Sequence, residues 1–170
     1  MTTDQQDRMR TEPLATGEVV IDVPPATAYQ LVSDPIRMAD FAEEFFRARW
    51  IRGSAGPAVG NWFSGSNRNG RHRWFTHSQI TDADPGRRFA YHVRTPFFVP
   101  FSRWQYEITP EAGGCRVTVT NWLRMPRWFV PVAIMITGES DRAHTNSDNI
   151  ATTLGRLKAH AESLESAGRA

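Results

Sequence analysis

The chain has 170 residues, which suits one domain that buries about 70% of the surface of its unfolded chain. Its formal net charge is +2, and its 20 basic residues are scattered among 18 acidic ones, which argues against a nucleic-acid-binding protein. Cys115 is the only cysteine, so no intramolecular disulfide can form, and we expect a reducing, cytoplasmic setting.

Both ends of the chain read as tails outside the domain. The N-terminus lacks the apolar core of a signal peptide, so we do not expect a secretory signal. Because it is polar and terminal, we expect residues 1–14 to be a disordered tail. The longest apolar stretch, residues 128–136, is far shorter than the ~20 residues of a membrane-spanning helix. We therefore expect one domain over residues 15–166, a tail at 167–170 and no transmembrane segment.

The first elements are a strand and two short helices. Apolar and polar residues alternate over residues 15–23, which predicts a strand that ends at Pro24-Pro25. Residues 26–32 and 36–44 then read as short helices, separated by Ser33-Asp34-Pro35.

The alternation then predicts about six further strands. Asparagine and glycine at 69–70, Asp84-Pro85-Gly86 and Gly113-Gly114 are the turn signals between them. One face of the strands is apolar and the other polar, as in an antiparallel sheet that is covered on one side. The predicted strands are residues 46–52, 61–66, 72–81, 87–95, 103–108 and 116–123.

A long amphipathic helix is predicted at residues 142–166. Its apolar residues recur at spacings of three, four and seven, as at Ile150, Leu154, Leu157 and Ala161. An antiparallel sheet of six or seven strands can cover one such helix by curling round it. The sequence therefore predicts an α+β fold with a cavity between the curved sheet and the helix.

Several phrases of the sequence resemble the START-like polyketide cyclase/dehydrase and lipid-transport superfamily, the helix-grip group that includes the birch-pollen allergens. The resemblance covers residues 16–165 and implies the helix-grip fold. Members include ligand carriers, aromatase/cyclases and hormone receptors, so the fold alone does not select a function. The phrases lie at residues 23–35, 60–70 (GNWFSGSNRNG), 84–91 (DPGRRFAY), 113–118 (GGCRVT) and 153–158 (TLGRLK).

The alternation also selects the side chains that face the helix. They are mainly apolar and aromatic with a few polar groups, which is typical of a small-molecule pocket. The alternative is a filled core, in which the same aromatic rings pack together. The predicted ligand-binding residues are Trp74, Thr76, Ser78, Phe89, Tyr91, Trp104, Tyr106, Val119, Asn121, Leu123, Asn146 and Ile150.

Asn121 has two interpretations. It is in register with apolar residues that face inward, and a buried amide without partners costs about 1–3 kcal/mol. It either binds a ligand carbonyl together with Asn146, or it is satisfied by a sheet-to-helix hydrogen bond or a buried water.

Candidate catalytic residues are few. His72 is a candidate general base because its ordinary pKa is near neutral. Tyr91 and Tyr106 suit hydrogen-bond donation or acid catalysis better than base catalysis. One acid of the second short helix, Asp40, Glu43 or Glu44, is a further candidate, with Arg142 or Arg68 as its charge partner.

The sequence has no HxH, HExxH or CxxC spacing and no nucleotide-binding fingerprint. We therefore expect no metal and no cofactor. The favoured function is binding of a hydrophobic small molecule, aromatic, polyketide-like or lipid. The alternative in the same cavity is a polyketide cyclase, aromatase or dehydratase.

Residues 125–136 (MPRWFVPVAIMI) form an apolar segment with two interpretations. It is either a hydrophobic lip whose Trp128 and Phe129 await a ligand, a partner or a lipid, or the buried, kinked first part of the C-terminal helix. The first interpretation adds a third hypothesis for function, a partner-binding module in which residues 125–136 are a dimer or chaperone surface. A homodimer through this segment is one form of that hypothesis.

Overall fold

The computed structural model describes residues 12–168 and contains one seven-stranded antiparallel sheet. The predicted order of a strand, two short helices, six strands and a long helix is confirmed. The elements are β1 (Ala15–Ile21), α1 (Pro25–Val32), α2 (Pro35–Met38), β2 (Phe45–Ile51), β3 (Trp62–Asn69), β4 (His72–Asp84), β5 (Arg88–Arg94), β6 (Pro100–Glu111), β7 (Gly114–Leu123), a 3₁₀ turn (Arg127–Phe129), α3 (Val130–Thr137) and α4 (Arg142–Gly168).

The strands run through the sheet in the order β1-β7-β6-β5-β4-β3-β2, so β1 pairs with the last strand. Gly17 on β1 brings this edge close to α4. A Cβ atom on Gly17 would lie 2.6 Å from Cγ2 of Ile150, which is too close for any side chain. The absence of a side chain at this position therefore lets the sheet wrap tightly round one side of the helix.

The long helix α4 begins at a side-chain cap. Oδ1 of Asp141 accepts a hydrogen bond of 3.1 Å from the backbone N–H of His144, which satisfies a free donor of the first turn. Its apolar face, predicted from the spacing of Ile150, Leu154, Leu157 and Ala161, is buried in the core. The helix extends to Gly168, two residues beyond the predicted end.

The second short helix is shorter than predicted. Asp34 caps α2 by accepting a hydrogen bond from the N–H of Ile36, but the helix ends at Met38 rather than at residue 44. The chain then turns, buries Phe41 in the core and enters β2. Glu43 and Glu44 therefore lie in the connection to β2 and not on a helix.

Residues 125–136 are not the first part of the long helix. They form the 3₁₀ turn and most of α3, and Gly138 ends α3 in the left-handed conformation, with a φ of 69°. The predicted tail at residues 1–14 falls mostly on residues 1–11, which lie outside the described part of the chain, as do residues 169–170.

Within residues 12–168, no helix has both the length and the apolar character that crossing a membrane requires.

Candidate functional site

A cavity of about 130 Å³ lies between the inner face of the sheet and α4. All twelve residues that the sequence predicts as ligand-binding lie on its wall. The space between the helix and the sheet is therefore open rather than filled by the aromatic side chains. That these residues bind a ligand stays a prediction.

Aromatic side chains form much of the wall. Tyr91 on β5 lies opposite Trp104 on β6, and Phe89 lies opposite Tyr106 in the same pair of strands. Tyr91 and Trp104 are only half-buried although they face inward. Their accessible surface faces the cavity, which makes them available for contact with a ligand.

Sequence reasoning missed Phe63 and Phe45, which also line the cavity. The Phe63 ring lies 5.2 Å from that of Tyr91 and 6.4 Å from that of Phe45, in edge-to-face geometry. Phe63 follows another aromatic residue, Trp62, so alternation did not decide which of the two faces inward. Phe45 precedes the predicted start of its strand.

Asn121 is fully buried and has internal partners on both sides of its amide. Its Oδ1 accepts a hydrogen bond of 2.8 Å from Nδ2 of Asn146, and its Nδ2 donates one of 3.1 Å to the carbonyl oxygen of Arg103. Of the two interpretations of Asn121, the structure therefore has the sheet-to-helix hydrogen bond. The amide pair joins β7, next to the edge strand β1, to the second turn of α4.

Tyr91 and Tyr106 form a hydroxyl pair inside the cavity wall. Burial raises the pKa of Tyr91 well above its ordinary value, and its hydrogen bond to Tyr106 raises that pKa further. Burial raises the pKa of Tyr106 to about 12, against a smaller lowering by the hydrogen bond from Tyr91. Both hydroxyls are thus protonated at neutral pH, so they can donate hydrogen bonds but cannot act as ready bases.

His72, the predicted general base, does not reach the cavity wall. It is exposed and lies against α3, where a Cβ atom on Gly138 would come within 2.5 Å of its Cδ2 atom. The structure therefore separates His72 from Tyr91 and Tyr106, the other two candidate catalytic residues.

Of the three predicted acids, the structure brings Glu43 and Glu44 to the cavity wall. Glu43 pairs with Arg156. Glu44 pairs with Arg142, one of the two predicted charge partners. Nη1 of Arg142 donates to both carboxylate oxygens of Glu44, each at 2.9 Å. The other predicted partner, Arg68, lies with its guanidinium 5.2 Å from the ring of Phe46, and Asp40 is exposed and off the wall.

This ion pair is largely shielded from water. The side chains of Glu44 and Arg142 are 18% and 15% exposed. Burial raises the pKa of Glu44 above its ordinary value, although the Arg142 charge and hydrogen bonds from Arg142 and Asn149 oppose the rise. The guanidinium carbon of Arg142 lies 6.0 Å from the ring centre of Trp74, so the pair and an indole share one end of the cavity.

Among residues 12–168, no group of three or more His, Cys, Asp or Glu side chains is arranged to hold a metal ion.

The apolar segment 125–136 is partly exposed and does not line the cavity. Trp128 and Met135 are 69% and 71% exposed, whereas Phe129 and Ala133 are buried. The segment follows β7, which ends at Leu123, and precedes α4, which begins at Arg142. Both Leu123 and Arg142 line the cavity. The segment thus lies at the same end of the sheet as the Glu44–Arg142 pair.

A family model described as polyketide cyclase / dehydrase and lipid transport matches residues 13–162. The chain belongs to this family. The resemblance noted in the sequence is therefore confirmed, while no curated protein sequence matches the chain.

Solved structures with the same fold share little sequence with this chain. The di-domain ARO/CYC StfQ from the steffimycin biosynthetic pathway is 16% identical with a TM-score of 0.70, over 97% of this chain and 55% of that one. Protein CV1439 from Chromobacterium violaceum is 16% identical with a TM-score of 0.64, over 86% and 96%. Ara h 8.0201 is 12% identical with a TM-score of 0.61, over 87% and 96%. At these identities the likeness establishes the helix-grip fold alone.

Proposed function

We propose that this protein binds a hydrophobic small molecule, aromatic, polyketide-like or lipid, in the cavity between the sheet and α4. The observation that carries the proposal is the accessible aromatic wall, in which Tyr91 and Trp104 pack against the core on one side and are only half-buried. A wall that is mainly apolar and aromatic, with a few polar groups, is typical of a site for an apolar small molecule.

The volume of the cavity limits the size of the ligand that it can bind without movement of its side chains. Its volume of about 130 Å³ is close to that of the ~150 Å³ engineered cavity that stays dry and binds benzene. A one-ring ligand therefore fits the wall as it stands. A larger ligand requires side chains of the wall, such as the half-buried Trp74, to move.

The first test is native mass spectrometry of the protein purified from its own host, followed by release and identification of any bound molecule. We expect a defined apolar molecule at near-unit occupancy. A clean apo mass, together with tryptophan fluorescence that aromatic and fatty ligands leave unchanged, would contradict the proposal.

The second candidate function is a polyketide cyclase, aromatase or dehydratase that acts in the same cavity. The Tyr91–Tyr106 pair favours it, because two protonated hydroxyls within an apolar wall can donate protons or hydrogen bonds to a reacting carbonyl. StfQ, a protein of the same fold, bears the description ARO/CYC. Recovery of the bound molecule as a cyclised or dehydrated product would support this function over a carrier function.

The third candidate is a homodimer through residues 125–136. The exposure of Trp128 and Met135 supports it, because a contiguous apolar surface on a folded protein usually marks an interaction site. This assembly stays a prediction, and the oligomeric state in solution tests it.

A further inference from the structure

Arg142 presents more hydrogen-bond donors than the protein uses. Its Nη1 makes both of the contacts with Glu44, whereas its Nη2 is buried and has no hydrogen-bond partner within residues 12–168. Buried donors without acceptors are rare in native structures because each one loses its hydration without compensation. The free nitrogen of Arg142 therefore points to an acceptor that comes from outside the chain.

A ligand in the cavity can supply such an acceptor, because Arg142 lies on the cavity wall. Asn149, which also lines the wall, hydrogen-bonds Glu44, and Asn146 follows Arg142 by one turn of α4. Apolar side chains such as Phe89, Val119 and Leu154 line the wall as well. The cavity thus combines an ion pair and neighbouring amides with apolar surface.

We propose that Nη2 of Arg142 is a subsite for an anionic oxygen, so that the preferred ligand is a hydrophobic acid, an apolar ring or chain that ends in a carboxylate. The inference rests on the proposed function and specifies the ligand class of the same cavity. Guanidinium groups pair with carboxylates through charge-assisted hydrogen bonds, which are strongest where water is excluded. Nη2 has no accessible surface, so the ligand oxygen reaches it after a rotation of the Arg142 or Trp74 side chain.

The test compares two probes that differ only in their polar end, 4-propylbenzoate and 4-propylbenzyl alcohol. Each is titrated into the full chain, and the shifts of the Trp74 and Trp104 indole signals in ¹H–¹⁵N NMR spectra report both the dissociation constant and the site. We expect the benzoate to bind about tenfold more tightly than the alcohol, the factor that one charge-assisted hydrogen bond supplies.

Two variants distinguish the contribution of Arg142 to binding from that of the Glu44–Arg142 ion pair. Glu44→Gln keeps Arg142 and removes its competitor, so the preference for the benzoate should stay the same or rise. In Glu44→Gln with Arg142→Gln, both charges are absent and no buried charge is left unpaired, so the preference should vanish and this variant should bind the benzoate no more tightly than the alcohol.

The matched control is an ion pair that lies off the cavity wall. Arg88 on β5 and Glu107 on β6 are joined by a contact of 3.0 Å, and both side chains are nearly half exposed. The double change Arg88→Gln with Glu107→Gln should leave the affinities for both probes within about twofold of wild type, because an exposed pair contributes little.

The outcomes distinguish the two proposals. Equal affinity of wild type for the two probes would overturn the anionic subsite while it supports an apolar cavity. Indole signals that neither probe shifts at millimolar concentration would overturn the binding function and the subsite with it. A benzoate preference that persists in the Glu44→Gln, Arg142→Gln variant would place the anion elsewhere and overturn the role of Arg142.

Discussion

The amides of Asn121 on β7 and Asn146 on α4 are joined by a hydrogen bond of 2.8 Å, and both side chains are buried. Asn146→Ala leaves Oδ1 of Asn121 without its partner at a fully buried position. We expect this change to lower the free energy of unfolding by about 1–3 kcal/mol. Urea denaturation measures the loss, and Ser147→Ala, an exposed position on the same helix, should cost less than about 0.5 kcal/mol. Equal stability of the two variants would show that the amide pair contributes nothing.

Trp74→Ala should weaken the binding of aromatic ligands by about tenfold, because the indole supplies a large apolar contact on the cavity wall. The measurement is a titration of the identified ligand by calorimetry. Trp122→Ala is the control, since Trp122 does not line the cavity and lies with its ring 6.0 Å from the guanidinium of Arg103. If both variants bind like wild type, Trp74 is not part of the binding site.

The Tyr106→Phe variant distinguishes a carrier function from an enzymatic function. The change keeps the ring in the wall and removes the hydroxyl that pairs with Tyr91, so we expect ligand affinity to stay within about twofold. If the protein is a cyclase or dehydratase that uses this hydroxyl as an acid, turnover should fall by about 100-fold. Assays of product formation on a proven substrate give the answer, and wild-type turnover by Tyr106→Phe would remove Tyr106 from the mechanism.

The raised pKa of Tyr106 predicts a loss of stability in alkali. The unfolded chain releases this proton at a pKa of about 10, and the folded protein at about 12. The stabilisation is thus fully present below pH 10 and is lost as the pH rises through 12, a change of about 3 kcal/mol for this group. Unfolding in urea between pH 8 and pH 11.5 measures the slope. Tyr106→Phe should have a shallower slope than wild type, and an unchanged slope would contradict the assignment.

The exposed apolar segment predicts self-association. If residues 125–136 form a homodimer interface, sedimentation velocity at micromolar concentration should show a dimer for wild type. Trp128→Ser with Met135→Ser should be monomeric, because it replaces the two most exposed apolar side chains of the segment. Phe97→Ser, at an exposed apolar position outside the segment, should leave the dimer intact. A monomeric wild type would rule out this interface under those conditions.

The sequence by itself determined the fold and the inward faces of the strands. Side chains in a strand alternate between two faces, so once Ile80 is assigned to the core, Ser78, Thr76 and Trp74 follow with it. The same rule failed where adjacent residues were both aromatic, at Trp62 and Phe63. It also placed His72 on the inner face at the very start of β4, where the side chain lies against α3 and not over the cavity.

Only the tertiary structure decided which polar groups meet. Glu44 and Arg142 lie 98 positions apart in the chain, and Asn121 and Asn146 lie 25 apart on different elements. Their pairing depends on the curvature of the sheet and on the position at which α4 begins. The alternation of apolar and polar residues along the sequence does not determine either of these. The tertiary structure also left α3 partly exposed and the cavity open, because both depend on the packing of whole elements rather than on the alternation of neighbouring residues.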